Sequence, residues 1–229
     1  MLLLVSSAAV SLEKSPEQSL RLKPGNYWVY KGTVEWTEPA PGGASGSGPS
    51  HKKEITWKTE IIEEQARGAL KAYLVKGAFN DLPWYEPDRK PGSYIWVVYA
   101  SRLFILPADP DLLQRFHDPA DTFVTAVASQ EPVLQFPLRP HRCTSELEPE
   151  EPRTRTDLMY CWYVEARATK PLKPNLPEHG PEAWNVIYQS NPDHQIIGLV
   201  PGTGFVSYDF SHHGTLAEAH VRLVDSHLQ

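Results

Sequence analysis

The feature that most constrains the fold of this chain is its last stretch, residues 197–224, in which apolar runs alternate with glycine-containing breaks. The runs 197–200, 205–210 and 216–224 have the length of β-strands. They are separated by Pro201-Gly202-Thr203-Gly204 and by Ser211-His212-His213-Gly214-Thr215. Short apolar runs bounded by such breaks are typical of antiparallel strands joined by turns. The segment therefore predicts a β-meander and a mostly β fold.

Strand-like alternation extends through the rest of the sequence. In residues 53–61 the side chains of Ile55, Trp57, Thr59 and Ile61 fall on one side, and polar or charged residues fall between them. A period of two predicts a strand with one buried and one exposed face. Further strands are predicted at 27–36, 70–79, 94–99, 103–106, 159–168, 183–190 and 195–200, with a hairpin turn at Ala100-Ser101.

Helix signals are few. Asp109 precedes Pro110, which predicts an N-cap followed by the first helical residue. Asp118 or Asp121 is a candidate cap for a second short helix that ends at Ala128. We therefore predict a mainly β protein, in which a single curved antiparallel sheet forms a half-barrel or open barrel and one or two short helices lie against it.

The domain organisation follows from the same pattern. We expect residues 1–19 to be a leader remnant or disordered tail, since Met1 to Ser11 is apolar and rich in small residues. Residues 20–229 would form one β domain. A short echo between residues 20–24 and 136–140 suggests two sections, 20–106 and 131–225, that share the sheet.

Charge and cysteine content restrict the partners and the compartment. The net charge is −6, and no basic run is longer than Lys52-Lys53, which argues against nucleic acid as a partner. No stretch has the ~20 apolar residues of a membrane span. Cys143 and Cys161 predict one disulfide and a periplasmic or extracellular location; two buried free thiols are the alternative.

The aromatic residues provide the first candidate site. Seven tryptophans are present, several of them at inward positions of different strands. A curved sheet lined with indoles would hold an apolar or sugar-like ligand, with the loop 80–93 as a rim. The alternative is that these rings only fill the core. The expected ligand-binding residues are Trp28, Trp57, Trp84, Tyr85, Trp162 and Trp184.

The histidines of the final meander provide the second candidate. Asp209, His212, His213 and His220 carry the imidazole and carboxylate groups that bind divalent transition metals. The alternation of the last strand places His220 on its outward face. The alternative is that His213 and Gly214 form a hairpin turn whose imidazoles bond backbone or water. No Gly-x-Ser-x-Gly, His-Glu-x-x-His or phosphate-loop motif is present.

Two motifs resemble those of a known group of proteins. Residues 22–30 read Leu-Lys-Pro-Gly-Asn-Tyr-Trp-Val-Tyr, and residues 201–208 read Pro-Gly-Thr-Gly-Phe-Val-Ser-Tyr. They resemble the opening Leu-x-x-Gly-x-x-Trp-x-Tyr and closing Pro-Gly-x-Gly-x-Val-x-Tyr strands of bacterial exported and envelope β-sheet proteins. The resemblance covers only the two ends of the chain. It implies a curved antiparallel sheet in an exported bacterial protein, and it implies no activity.

Three functions are therefore open. The leading hypothesis is an exported or envelope-associated binding protein without a cofactor, whose aromatic concave face holds an apolar or carbohydrate-like small molecule. The second is a metal-dependent enzyme that uses Asp209, His212, His213 and His220 with one divalent transition metal. The third is a structural module without ligand. The sequence leaves homo-oligomerisation open.

Overall fold

A computed structural model describes residues 15–39, 47–88, 90–118, 122–146, 159–166, 183–214 and 216–229. Within these ranges the chain forms one sheet of eleven antiparallel strands that is nearly closed into a barrel, which confirms the predicted fold class. The strands are β1 (Tyr27–Pro39), β2 (Ser47–Arg67), β3 (Leu70–Lys76), β4 (Ser93–Tyr99), β5 (Arg102–Pro107), β6 (Leu134–Gln135), β7 (Trp162–Ala166), β8 (Trp184–Gln189), β9 (Asp193–Val200), β10 (Gly204–His212) and β11 (Ala217–His227).

The strand order places the two ends of the described chain in the middle of the sheet. The order is β6-β5-β4-β3-β2-β1-β11-β10-β9-β8-β7. The sections 20–106 and 131–225 thus contribute β1 to β5 and β6 to β11 to one sheet. They meet where β1 pairs with β11, from Tyr27 opposite His227 to Trp36 opposite Ala217.

The inward faces of the strands follow the alternation in the sequence. In β1 the side chains of Trp28, Tyr30 and Val34 are buried, and in β2 those of Trp57 and Ile61 are buried. They belong to one large apolar cluster that fills the barrel. Each such side chain removed from water contributes about 1.5–3 kcal/mol, so the interior is the main source of stability.

Three short helices accompany the sheet. They are α1 (Pro16–Leu20), α2 (Pro110–His117) and α3 (Thr122–Ala128). Asp109 caps α2 as predicted, because its side chain accepts a hydrogen bond from the Leu112 N–H at 2.8 Å. α2 and α3 pack Phe116, Phe123 and Val127 against the outer face of β3, β4 and β5. Two helices therefore lie against the sheet, as expected.

Helix α1 lies partly inside the segment that we expected to be a tail. Ser15 and Gln18 form a capping box, in which each side chain bonds the other residue's backbone N–H. Leu20, at the end of the helix, is buried in the barrel interior. Residues 15–19 are thus part of the folded unit, while residues 1–14 lie outside the described residues.

A strap formed by residues 131–144 contains the edge strand β6 and connects β5 with the other edge strand, β7. On one side the Val133 N–H donates to the carbonyl of Leu103 in β5, and the Phe136 N–H donates to the carbonyl of Ser101 just before β5. On the other side His141 and Thr144 donate to the carbonyls of Val164 and Trp162 in β7. The strap also carries the predicted disulfide, which is confirmed: Cys143 bonds Cys161 with a Cα–Cα distance of 5.7 Å.

Candidate functional site

Two of the six expected ligand-binding aromatics are part of the packed interior. Trp28 and Trp57 are 2% and 4% exposed. The indole N–H of Trp28 donates to the Thr203 carbonyl at 2.7 Å, and that of Trp57 donates to the Gly77 carbonyl at 2.9 Å. Their rings and their polar atoms are therefore committed to the fold and leave no face for a ligand.

The loop between β3 and β4, residues 77–92, explains why the concave face of the sheet is filled. Phe79, in a 3-10 turn at Phe79–Asp81, enters the interior. Its ring stacks on Tyr208 with centroids 5.0 Å apart and meets Tyr30 edge-on at 4.7 Å. The concave aromatic surface predicted from the sequence is therefore covered by the protein's own loop.

Hydrogen bonds hold this loop in place. The Gly77 carbonyl accepts from Trp57 and also from the Thr59 hydroxyl at 2.6 Å. The buried carboxylate of Asp81 accepts from the Gly92 N–H at 2.7 Å and from the Tyr94 hydroxyl at 2.8 Å. A Cβ at position 92 would stand 2.9 Å from Asp81 Oδ1, so a larger residue would have to displace this carboxylate.

The same loop carries Trp84 and Tyr85 to one end of the barrel. Trp84 is 50% exposed and has a φ of 55°. Such a conformation is uncommon for a residue other than glycine and costs about 1–3 kcal/mol, which neighbouring contacts must offset. Tyr85 instead is buried, and its ring lies 5.6 Å from that of Trp36. Of this pair only Trp84 presents a surface to solvent.

The strand register defines a mouth at this end of the barrel. Asp193 in β9 lies opposite His212 in β10. Trp36 in β1 lies opposite Ala217 in β11 on one side and opposite His51 in β2 on the other. We call Asp193, His212, Trp36 and His51 the mouth row. All four are half-buried, whereas Phe210 and Val34, one step deeper, are buried. In β1 and β10 the inward-pointing side chains therefore first reach solvent at the mouth row.

His212 is the best-positioned polar group of the mouth row. Its Nδ1 lies 2.8 Å from Asp193 Oδ1, and its ring centroid lies 4.3 Å from that of Trp84. Trp84 also approaches Phe210, at 6.4 Å. The structure thus brings together Trp84 and His212, which the sequence analysis assigned to two different sites.

The turn that carries Asp193 and the turn that carries His212 are joined by a hydrogen bond. Ser190 N–H donates to the Asp193 carbonyl at 2.8 Å, and Asp193 N–H donates to Ser190 Oγ at 3.1 Å. His213 N–H donates to the Pro192 carbonyl at 2.6 Å. Asp193 and His212 are therefore held in one geometry by backbone bonds on both sides.

The other members of the expected metal cluster lie elsewhere. Asp209 and His220 point to the outer face of the sheet, where His220 Nδ1 lies 2.9 Å from Asp209 Oδ1. His220 Nε2 lies 3.3 Å from Glu218 Oε2, and Arg222 bonds Asp209 at 2.8 Å. His213 is exposed in the turn.

The four residues therefore do not converge on one point, because the alternation of β10 sends His212 inward and Asp209 outward. Each ring nitrogen of His220 contacts a different carboxylate, and the two carboxylates lie on opposite sides of the ring. His220 and these carboxylates therefore cannot bind one common ion. Across the described part of the chain, no group of three or more His, Cys, Asp and Glu side chains is arranged to hold a metal ion.

The remaining predicted aromatics lie in β7 and β8. Trp162 and Tyr188 face each other with centroids 5.2 Å apart, and both are half-buried. Tyr188 pairs with Gln195, which pairs with Phe210, so Trp162 lies in the row next to the mouth row. Trp184 pairs with Leu199 toward the opposite end of the barrel. Trp162 therefore borders the mouth, and Trp184 does not.

His194, the residue after Asp193, lies on the outer face of the sheet and has a shifted pKa. Burial lowers the pKa of the His194 imidazole, and the charge of His213 lowers it further. Its cross-strand partner Ser211 lies on the outer face, so His194 does not point into the mouth.

The sequence analysis did not include Asp193 among the candidate site residues. The cross-strand register of β9 and β10 would have placed it beside His212, but that register depends on the bulge between Phe205 and Ser207.

Comparison with known proteins gives no relative: no family model, no curated protein and no solved structure matches this chain. In the part of the chain that the structure describes, none of the helices has the length and apolar character needed to cross a membrane.

Proposed function

We propose that this protein is an exported, non-enzymatic binding protein that holds a small amphipathic molecule at the mouth of its barrel. The observation that carries the proposal is Trp84. It is a half-exposed indole in a left-handed backbone conformation, fixed against His212 by a loop whose other aromatics are buried.

Backbone strain of this kind persists where surrounding contacts impose it, and it is concentrated at functional sites. A flat apolar ring beside a few fixed polar groups is the usual composition of a small-molecule site. The ring of Trp84 and the polar atoms of Asp193 and His212 meet this description.

The neighbouring half-buried residues extend the surface. Trp36 and His51 stack with centroids 5.3 Å apart on the mouth row, and Trp162 with Tyr188 borders it. These rings supply apolar area without a long flexible side chain, so ordering them on binding costs little conformational entropy.

Export is supported by the disulfide, since such bonds persist in oxidising compartments outside the cytosol. The motifs at residues 22–30 and 201–208 resemble strands of bacterial envelope proteins, and this resemblance also favours a periplasmic or extracellular location.

The test is a ligand screen read through Trp84. The purified protein is titrated with methyl glycosides of the common hexoses and with apolar probes such as cyclohexanol and medium-chain alcohols, and binding is followed by tryptophan fluorescence and thermal shift. We expect at least one probe class to bind, and Trp84→Ala to weaken binding by tenfold or more.

Ile62→Ala is the matched control, because Ile62 is 48% exposed, close to the 50% of Trp84, but lies on β2 where β2 pairs with β3. It should leave binding unchanged. Absence of binding by every probe, or equal effects of the two substitutions, would refute the proposal.

A further inference from the structure

We propose that Asp193 and His212 form a recognition pair for a ligand hydroxyl, so that the molecule held beside Trp84 is a polyhydroxylated ring and not a purely apolar compound. This inference rests on the proposed binding function and specifies its ligand class.

The first step concerns the tautomer of His212. An ionised carboxylate only accepts hydrogen bonds, so the contact of 2.8 Å between Nδ1 and Asp193 Oδ1 places the proton on Nδ1. In a neutral imidazole one nitrogen donates and the other accepts. In the neutral form of His212, Nε2 is therefore an acceptor, oriented by the Asp193 carboxylate.

The second step concerns the surroundings of Nε2. Among the described residues none makes a hydrogen bond with Nε2, although the side chain is only 15% exposed. Gly214 lies beside it: a Cβ at position 214 would stand 3.4 Å from Nε2. With glycine there, no side chain at position 214 covers that side of Nε2.

The acceptor Nε2 of His212 lies close to an apolar surface, the ring of Trp84. The Trp84 ring is tilted by 60° to the imidazole with centroids 4.3 Å apart, and half of its surface is exposed. A ligand that covers the indole therefore brings its edge to Nε2. Pyranose rings combine an apolar C–H face with hydroxyl donors at the edge, and they satisfy both groups at once.

The fourth step is preorganisation. The bonds of Ser190 to Asp193 and of His213 to Pro192 fix both members of the pair before any ligand arrives. A polar group held in place at a half-buried site discriminates strongly against ligands that lack its partner, because it is then left unpaired.

The experiment compares two probes on three proteins. The probes are the methyl glycoside of highest affinity in the screen and tetrahydropyran, which keeps the ring but lacks hydroxyls. The proteins are the wild type, Asp193→Asn and His212→Phe. Asparagine can donate to Nδ1 and so permits the opposite tautomer, while phenylalanine keeps a ring against Trp84 and removes both nitrogens.

Binding is measured by the shift of the Trp84 indole N–H signal in NMR spectra, and the tautomer by long-range ¹H–¹⁵N correlation of the imidazole. We expect wild-type His212 to carry its proton on Nδ1. We expect each variant to lose about tenfold in glycoside affinity, a typical loss for one hydrogen bond, and to lose clearly less in tetrahydropyran affinity, because that probe has no hydroxyl to bond Nε2. Near-ultraviolet circular dichroism verifies that both variants are folded.

Three results would overturn the inference: a proton on Nε2 in the wild type, glycoside affinity unchanged in both folded variants, or no binding of any glycoside. If apolar probes still bound in a Trp84-dependent way, the binding function would stand and only the hydroxyl recognition would fail.

Discussion

Phe79 stacks on Tyr208 inside the barrel, with ring planes 13° apart and centroids separated by 5.0 Å. One residue belongs to a loop and the other to β10, so a connecting segment supplies part of the core. The loop 77–92 therefore has two roles. Its first residues fill the barrel interior, and its middle residues carry Trp84 to the surface.

We therefore expect Phe79→Ala to destabilise the protein by about 3–5 kcal/mol, the usual cost of deleting a buried phenylalanine. Urea unfolding followed by circular dichroism measures this change. Trp84→Ala serves as the comparison and should cost clearly less, because half of that ring is already exposed. A loss below about 1 kcal/mol for Phe79→Ala would contradict a core role for the loop.

Alkaline pH should destabilise the fold through its buried tyrosines. Burial raises the pKa values of Tyr30, Tyr73 and Tyr208 above the usual value. The unfolded chain releases these protons near pH 10 while the folded chain retains them, so stability is complete below about pH 10 and is lost as the pH rises further.

The expected slope is up to about 1.4 kcal/mol per pH unit for each tyrosine. Urea unfolding between pH 8 and pH 12 measures it, with tyrosinate absorbance to follow ionisation. Tyr73→Phe removes one ionising group and should make the slope shallower. An unchanged slope in that variant would exclude Tyr73 as a contributor.

The disulfide should matter because it fastens the strap to β7. Replacing Cys143 and Cys161 with serine releases a loop with a sequence separation of 18 residues, which corresponds to about 3 kcal/mol by loop entropy. We expect that loss in urea unfolding, and faster amide hydrogen exchange at His141 and Thr144 than at Ile55 in the remote strand β2. Uniform exchange across all strands would instead indicate global loosening.

Metal analysis tests the enzymatic alternative. Because His212 points into the mouth while Asp209 and His220 point outward, we expect protein purified without tag or chelator to contain far less than one transition-metal ion per chain. Elemental analysis of the wild type and of the His212→Ala/His213→Ala variant checks this. Stoichiometric metal that disappears in the variant would contradict the separation of these residues.

The sequence was sufficient for features that depend on local pattern. Alternation in β1 and β2 gave the buried faces, Asp109 and Pro110 gave the start of α2, and the two cysteines gave the disulfide. The capping box of α1 was also legible at Ser15 and Gln18, but the leader-like residues before it led us to assign them to a tail. Likewise, β2 begins at Ser47, several residues before the alternating segment 53–61 from which we predicted a strand.

The candidate site was harder to predict because it depends on contacts between distant segments. Alternation in β10 already separates Asp209 from His212, and that signal was available. The approach of Trp84 to His212 was not, since it joins a loop after β3 to a strand late in the chain. The filling of the interior by Phe79 likewise depends on how one loop folds back, which no periodicity encodes.

The strand order has a consequence for how this molecule folds. Among the described strands, every neighbouring pair is also consecutive along the chain, with the one exception of β1 and β11. Each half can therefore form as a local meander at low entropic cost, whereas the central ladder must close a loop that spans nearly the whole polypeptide. In a circular permutant the present ends would be joined and the chain would be opened between residues 146 and 159. All strand pairs would remain, and β1 and β11, whose pairing we expect to be slowest, would become consecutive strands. For this barrel the contact order, and with it the expected folding rate, thus depends on where the chain is cut as well as on the strand order.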